Sequence, residues 1–295
     1  MALPSASYCL WRRPPLLSPP QPPLTLPPPS RRHRLCACTA RSSLSPVQQT
    51  ISGIENSGII ACLRANRSLS LSLSIGTILL NVFLNLTRSR CECVIDSPEL
   101  AFEAACAALG AGITVLEVVR STPGVFEVLR WLIEDHPTAT LGVGTILNAE
   151  DAQNAIVAGA KFLMSPAMVK DILSDSQDCG VLYIPGVMTP TEILSAYDAG
   201  AKIVKVYPVS TLGGTHYISA LKKPFPHIRM VASQGIPRGL AGEYIAKGAS
   251  AVVLSDAIFS KSAMAQCNLS EISKFAHIAA LQGREAVDRR KRCLE

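Results

Sequence analysis

One rhythm constrains this chain more than any other feature. From residue 59 onward, short β-branched runs alternate with amphipathic stretches, and the stretches leave through glycine. The runs fall at 59–64, 114–119, 140–145, 162–165, 181–184, 203–207, 228–232 and 251–254. Between them, at 97–109, 149–158, 190–199 and 240–247, apolar residues recur at i, i+3 and i+4, which places one apolar stripe on a helix. The exits repeat as Gly110-Ala111-Gly112, Ala158-Gly159-Ala160-Lys161, Ala199-Gly200-Ala201-Lys202 and Lys247-Gly248-Ala249. Glycine just past a helix enters the left-handed region without a Cβ penalty and so ends it. Ser97-Pro98-Glu99 and Thr189-Pro190-Thr191-Glu192 mark starts, a hydroxyl cap ahead of a proline at the first helical position. Eight β/α units in about 230 residues predict a closed (β/α)8 TIM barrel. An open doubly wound sheet is the alternative, but no Gly-x-Gly-x-x-Gly follows the first run. A helix over 269–287, with Ile272, Phe275, Ala276 and Ala279 on one face, is expected to pack on the barrel.

Composition narrows the class further. Hydrophobic residues make up 48% and charged ones 17%, which excludes a wholly disordered chain. Aromatics are only 5%, so the core must be built from Ala, Val, Ile and Leu, as in buried parallel strands. The net charge of +6 is local: six arginines precede Glu55, the first acidic residue, and the rest of the chain holds 22 basic and 22 acidic residues. No basic patch remains to favour nucleic acid as a partner.

Residues 1–45, with ten prolines and no acid, cannot form a packed core. They read as an organellar transit peptide, with Leu35-Cys36-Ala37-Cys38-Thr39-Ala40 supplying small residues near a processing site. Chloroplast is preferred over mitochondrion, because a proline-rich segment cannot form an amphipathic arginine helix. A proline-rich tail without an address is the alternative. The barrel then occupies 46–295, interrupted at about 67–95, where roughly 30 residues replace the two to six expected of a βα loop. An apolar run at 69–86 within this stretch raises a membrane span, but Ser and Asn interrupt it and 18 residues is the short limit, so no membrane partner is expected. Deleting the segment restores a normal loop, which points to an insertion, with a translated intron as one source. Of the ten cysteines, Cys9, Cys36 and Cys38 lie in the leader, and among the other seven Cys91-x-Cys93 is the one close pair; these are expected to be mostly small buried hydrophobes, with no metal site.

Active groups of such barrels sit at C-terminal strand ends. In order these are Arg64, Glu117 with Arg120, Thr145, Ser165-Pro166, Pro185-Gly186, Lys205, Ser233-Gln234-Gly235 and Ser255. Lys205 stands in the apolar run Ile203-Val204-Lys205-Val206-Tyr207-Pro208, and Glu117 in Val115-Leu116-Glu117-Val118-Val119. Burial disfavours the charged form of a lysine, and a neutral amine attacks carbonyls to form a Schiff base. A carboxylate beside it suits proton transfer next to the imine. An ion pair of purely structural use is the other reading of both residues.

The stretches Gly58-Ile59-Ile60-Ala61-Cys62-Leu63-Arg64, Leu116-Glu117-Val118, Gly142-Val143-Gly144-Thr145-Ile146-Leu147, Ser165-Pro166, Ile184-Pro185-Gly186-Val187-Met188-Thr189-Pro190 and Lys205-Val206-Tyr207-Pro208 carry a resemblance. In their order and spacing the chain resembles the 2-dehydro-3-deoxyphosphogluconate / 4-hydroxy-2-oxoglutarate (KDPG/KHG) aldolase family, in a plant plastid-type form. The resemblance implies a (β/α)8 barrel, a homotrimer, and a metal-independent class I aldolase with no cofactor. It makes Lys205 the Schiff-base lysine and Glu117 the general acid/base, and it puts Thr145 and Pro166 at the pyruvate end, with Arg64, Arg120, Tyr207, Gly235 and Ser255 as further substrate contacts. The implied reaction splits a 2-oxo-4-hydroxy acid into pyruvate and an aldehyde.

This chain departs from the family at three places. The family's arginine four residues after the glutamate is here Ser121, with Arg120 one step early; along a strand one step reverses the side chain, so Arg120 has a solvated strand end as its alternative role. Gln234 and Leu254 replace glycines at the family's phosphate site, so a smaller unphosphorylated oxo acid competes with the phosphosugar. These changes keep open a second reading, a catalytically silent barrel used for binding or assembly.

Overall fold

In a computed structural model the described residues are 44–65 and 97–293. The leader up to residue 43 and the 67–95 segment, with its apolar run and its cysteine pair, lie outside them. Helix α1 (Pro46–Ser57) comes first, followed by β1 (Ile59–Leu63) and α2 (Pro98–Gly110). Next are β2 (Val115–Val119), α3 (Val125–Asp135), β3 (Thr140–Gly144), α4 (Ala149–Val157), β4 (Phe162–Met164) and α5 (Lys170–Asp178). Then follow β5 (Leu182–Ile184), β6 (Gly186–Val187), α6 (Pro190–Asp198), β7 (Ile203–Val206) and α7 (Gly214–Lys222). The series ends with β8 (Arg229–Ser233), α8 (Ala241–Ala246), β9 (Ala251–Leu254), α9 (Lys261–Ala265) and α10 (Leu269–Arg292).

All pairings are parallel, and β1 pairs both with β2 (Ala61 beside Leu116) and with β9 (Ile59 beside Val252). First and last strands are therefore neighbours, as a closed barrel requires. Nine segments stand where eight runs are expected, because Pro185 splits the fifth. Proline has no N–H for the ladder, but its carbonyl still accepts from the Lys205 N–H at 2.8 Å. β5 holds β4 on one side and β6 holds β7 on the other, so one interrupted strand completes a circuit of eight.

Side chains alternate between two apolar layers. Ile60, Cys62, Val115, Phe162, Ile203 and Val253 fill the barrel interior, while Ile59, Leu63, Leu116, Val118, Val204 and Val206 pack under the helices. Helix α1, absent from the expected helices, supplies Ile51 and Ile54 to the interior cluster from the strands' N-terminal end. Ser45 caps it, its Oγ accepting from the Gln48 N–H, and Gly58 at φ 69° ends it. A Cβ on Gly58 would lie 2.9 Å from Val287 of α10, so that corner admits only glycine. Helix α10 packs against α1, α2 and α8 and runs on to Arg292, past the expected end, with Arg289 to Arg292 complementing its C-terminal dipole. Of the five described cysteines only Cys62 is buried; Cys179 and Cys293 are exposed, contrary to the expectation of mostly buried thiols.

Candidate active site

Strand parity decides what reaches the mouth. With Cys62 and Glu117 facing inward, Arg64, Val119 and Ser121 follow inward at steps of two, as Tyr207 follows Lys205 and Ser255 follows Val253. Together these line one cavity of about 750 Å³ at the C-terminal strand ends. Thr145, Pro166 and Gly235 line it too.

Glu117 is 1% exposed and Lys205 6%. Lys205 Nζ stands 3.9 Å from Glu117 Oε1 and 5.4 Å from the centre of the Tyr207 ring. Glu117 Oε2 is buried without a hydrogen-bond partner. The carboxylate lies in the space that glycine leaves open on β3: a Cβ on Gly144 would fall 1.4 Å from Oε1. In the ladder Glu117 has Cys62 on one side and Gly142 on the other. Burial and the neighbouring Glu117 charge push the Cys62 thiol up, so it stays protonated beside the carboxylate.

The loops around this pair are tightly constrained. Thr145 takes φ 61° directly after β3, an uncommon conformation for a residue with a branched side chain. Ser165, fully buried, shares its hydroxyl with Tyr183 and with the Ala167 carbonyl, which holds the loop carrying Pro166. Burial raises the Tyr183 phenol, keeping it a hydrogen-bonding hydroxyl. A Cβ on Gly186 would lie 2.1 Å from the Pro166 carbonyl oxygen, so this loop depends on a glycine in the broken strand. After β8, Gln234 (φ 81°) and Gly235 (φ 70°) turn sharply, and a Cβ on Gly235 would lie 2.1 Å from Ser210 Oγ.

Of the residues expected at the substrate, Arg120 alone lies outside the cavity. Alternation turns it outward, where its Nε donates to Asp151 Oδ1 at 2.7 Å and its guanidinium lies 5.3 Å from the Phe126 ring centre. Ser121 holds the inward place instead. Cys62, Asp256, Arg238 and Lys261 also line the cavity and were not anticipated. Inward parity with Arg64 identifies Cys62 from sequence; Arg238 and Lys261 stand several residues past their strand ends, where no period applies.

Away from the mouth, Cys106, Asp135 and His136 bring their donor atoms within 4.8 Å of one another. Cys106 Sγ is 3.8 Å, and His136 Nε2 3.1 Å, from Asp135 Oδ2. Burial first and then the Asp135 charge push the Cys106 thiol up to about 11, so at neutral pH it stays protonated and donates to Asp135. Among the described residues no helix is long and apolar enough to cross a membrane.

Residues 86–275 match the family model described as "KDPG and KHG aldolase". The 2-dehydro-3-deoxy-phosphogluconate aldolase of Treponema pallidum (strain Nichols) is 34% identical over 170 residues, which cover 57% of this chain and 81% of that protein. The KHG/KDPG aldolase of Escherichia coli (strain K12) is 30% identical over 153 residues, 52% of this chain and 72% of that one. Among solved structures, a KDPG aldolase from Legionella pneumophila, with pyruvate captured at low pH as a covalent carbinolamine intermediate, superposes with a TM-score of 0.63 at 23% identity, covering 78% of this chain and 98% of that one. The 2-keto-3-deoxy-6-phosphogluconate aldolase of Zymomonas mobilis ZM4 with 3-phosphoglycerate gives 0.62 at 20% identity, over 79% and 96%. At these identities the two structures share the barrel fold.

Proposed function

Because this chain belongs to the KDPG and KHG aldolase family and is thereby a carbon–carbon lyase, we propose that it cleaves a 2-oxo-4-hydroxy acid to pyruvate and an aldehyde through a Schiff base on Lys205. The observation that carries the mechanism is the buried pair itself, Lys205 Nζ 3.9 Å from Glu117 Oε1 at the floor of the cavity.

The amine of Lys205 adds to the C2 carbonyl, and the carbinolamine loses water to give an iminium. Glu117 takes the proton of the C4 hydroxyl; the C3–C4 bond breaks, the aldehyde leaves, and the bonding electrons pass to the iminium as an enamine. Protonation at C3 and hydrolysis release pyruvate and restore the lysine. Glu117 suits both proton steps because its Oε2 has no other hydrogen bond to give up and its Oε1 already faces the nitrogen. Thr145 and Pro166 bound the pyruvate end, and Tyr207 shields the lysine. With Arg120 turned away, Arg64 is the arginine on the β1–β2 side of the lining and takes the substrate carboxylate there. Substrates with a 6-phosphate or with a second carboxylate both fall within this chemistry.

The same reading makes the protein a homotrimer of the plastid stroma, with residues 1–45 as its transit peptide. An acid-free, arginine-bearing leader supports the address; N-terminal sequencing of the mature protein and its mass in solution test the two statements. Sequencing the transcript across residues 67–95 tests whether that segment is a retained intron.

The decisive experiment incubates the protein with pyruvate and borohydride and weighs its peptides. A reduced pyruvyl adduct on Lys205 is expected. A folded protein without the adduct would overturn the aldolase mechanism and leave a silent barrel.

A further inference from the structure

One group of side chains away from the mouth has donor chemistry that the cleavage reaction does not use. Helices α2 and α3 flank β2, and each leads back to the N-terminal end of the next strand, opposite the catalytic strand ends. Their seam repeats at one helical turn: Phe102 meets Trp131 edge-on at 5.9 Å, and four residues further along each helix Cys106 meets Asp135. His136 follows as the C-cap of α3. Cys106 and Asp135 are 29 residues apart in the chain, a spacing that hides the trio from a sequence motif.

Three observations point to a cation among them. A tetrahedral zinc, with Zn–S about 2.3 Å and Zn–N or Zn–O about 2.0–2.1 Å, sets N and O about 3.3 Å apart and S and O about 3.5 Å apart. Asp135 Oδ2 lies 3.1 Å from His136 Nε2 and 3.8 Å from Cys106 Sγ, and all three donors fall within 4.8 Å of one another. His136 Nε2, moreover, is cut off from solvent and makes no hydrogen bond, although that carboxylate oxygen is 3.1 Å away. A shared cation satisfies both atoms where a hydrogen bond does not. Finally, α3 closes on Glu134-Asp135, and neither α2 nor α3 has a basic residue in its last turn, so the negative ends of both helices lack a compensating charge of their own. Lys161 sets its ammonium on the Pro137 and Ala139 carbonyls of the next loop, and the ion pairs among the described residues do not join it to Asp135.

We propose that Cys106, Asp135 and His136 form a zinc-class metal site that clamps α2 to α3, with a fourth position open to solvent beside the exposed Asp135. A thiolate with an imidazole favours a borderline-soft dication over Mg2+ or Ca2+. On binding, the Cys106 thiol releases its proton to solvent as Sγ bonds to the metal, and the dication offsets the Asp135 charge. At this end of a barrel such a clamp acts on the stability of the wall around β2. The inference does not draw on the aldolase reading.

The test uses the full chain carrying W11F, which leaves Trp131 as its one tryptophan. Titration with Co2+ alone is expected to raise a thiolate-to-cobalt absorption band and to quench Trp131 emission in step, with both complete at one equivalent. In competition with a chelator, C106S, D135N and H136Q should each weaken Zn2+ binding by at least about tenfold, while C179S, at an exposed cysteine elsewhere, should not. Zn2+ at about 100 times its Kd should raise the unfolding midpoint of the parent by about 5–10 °C and leave that of C106S unmoved. Cooperative unfolding without metal shows that each variant folds. Cobalt binding that leaves Trp131 emission unchanged, quenching that survives in C106S, or no cobalt band at all would overturn the proposal.

Discussion

Replacing Gly144 by alanine isolates the position of the Glu117 carboxylate. The backbone there tolerates alanine, since Gly144 is not among the positive-φ glycines. The added methyl carbon would lie 1.4 Å from Glu117 Oε1, 2.4 Å from Cδ and 2.8 Å from Cγ. Restoring ordinary contact at about 3.4 Å requires the carboxylate to move by about 2 Å, in an interior packed too densely to absorb the shift locally. A 1 Å misplacement in a reacting constellation costs about 10²-fold, and a general acid/base contributes about 10²–10⁴-fold in all. kcat for cleavage is therefore expected to fall by about 10²–10³, or about 2.7–4 kcal/mol of barrier, with about 1–3 kcal/mol of stability lost to overpacking. The assay follows pyruvate release, with borohydride trapping at Lys205 run in parallel. Because the methyl group acts through Glu117, G144A combined with E117Q is expected to fall no further than E117Q alone. A folded G144A with kcat within threefold of the parent, or a double variant whose losses multiply, would refute the placement.

Other consequences are open to direct measurement. Arg120→Ala should leave KM for the oxo acid within twofold and cost about 1 kcal/mol in denaturant unfolding, because its partner is Asp151 in a half-buried pair outside the cavity; a tenfold rise in KM would return Arg120 to the substrate. The N–H groups of Met188 and Thr189 hold the Glu192 carboxyl below its ordinary value of 4.5. That depressed value stabilises the fold above about pH 4.5, and the gain is lost as pH falls through the folded-state value. Glu192→Ala should thus cost about 0.5–1 kcal/mol at pH 7 through the lost capping box and markedly less at pH 3, whereas an equal cost at both would rule out the carboxylate as cause. Protonated Cys62 should resist iodoacetamide in the native protein at pH 8 while exposed Cys179 and Cys293 react, and early modification of Cys62 would contradict its raised value.

What could be read without coordinates was whatever has a local cause. The β/α alternation, the glycine exits and the Thr189 cap act within a few residues, and the structure has the barrel they imply. Lys205 and Glu117 drew notice because a charge in an apolar run is locally anomalous, and parity alone turned Arg120 away from Ser121. Helix α1 was missed because its burial depends on the open bottom of a barrel that its own residues do not encode. The split at Pro185 could be read as a proline, but not as a strand that still completes the circuit. Ring closure through β1 and β9 was needed to set the amine of β7 beside the carboxylate of β2 across the mouth, whereas pairing of neighbouring strands alone lays that carboxylate over Gly144. Backbone hydrogen bonding and side-chain alternation have short periods that a sequence displays directly. Which side chains meet across the mouth depends on the stagger and curvature of the whole closed sheet, and those belong to all its strands at once.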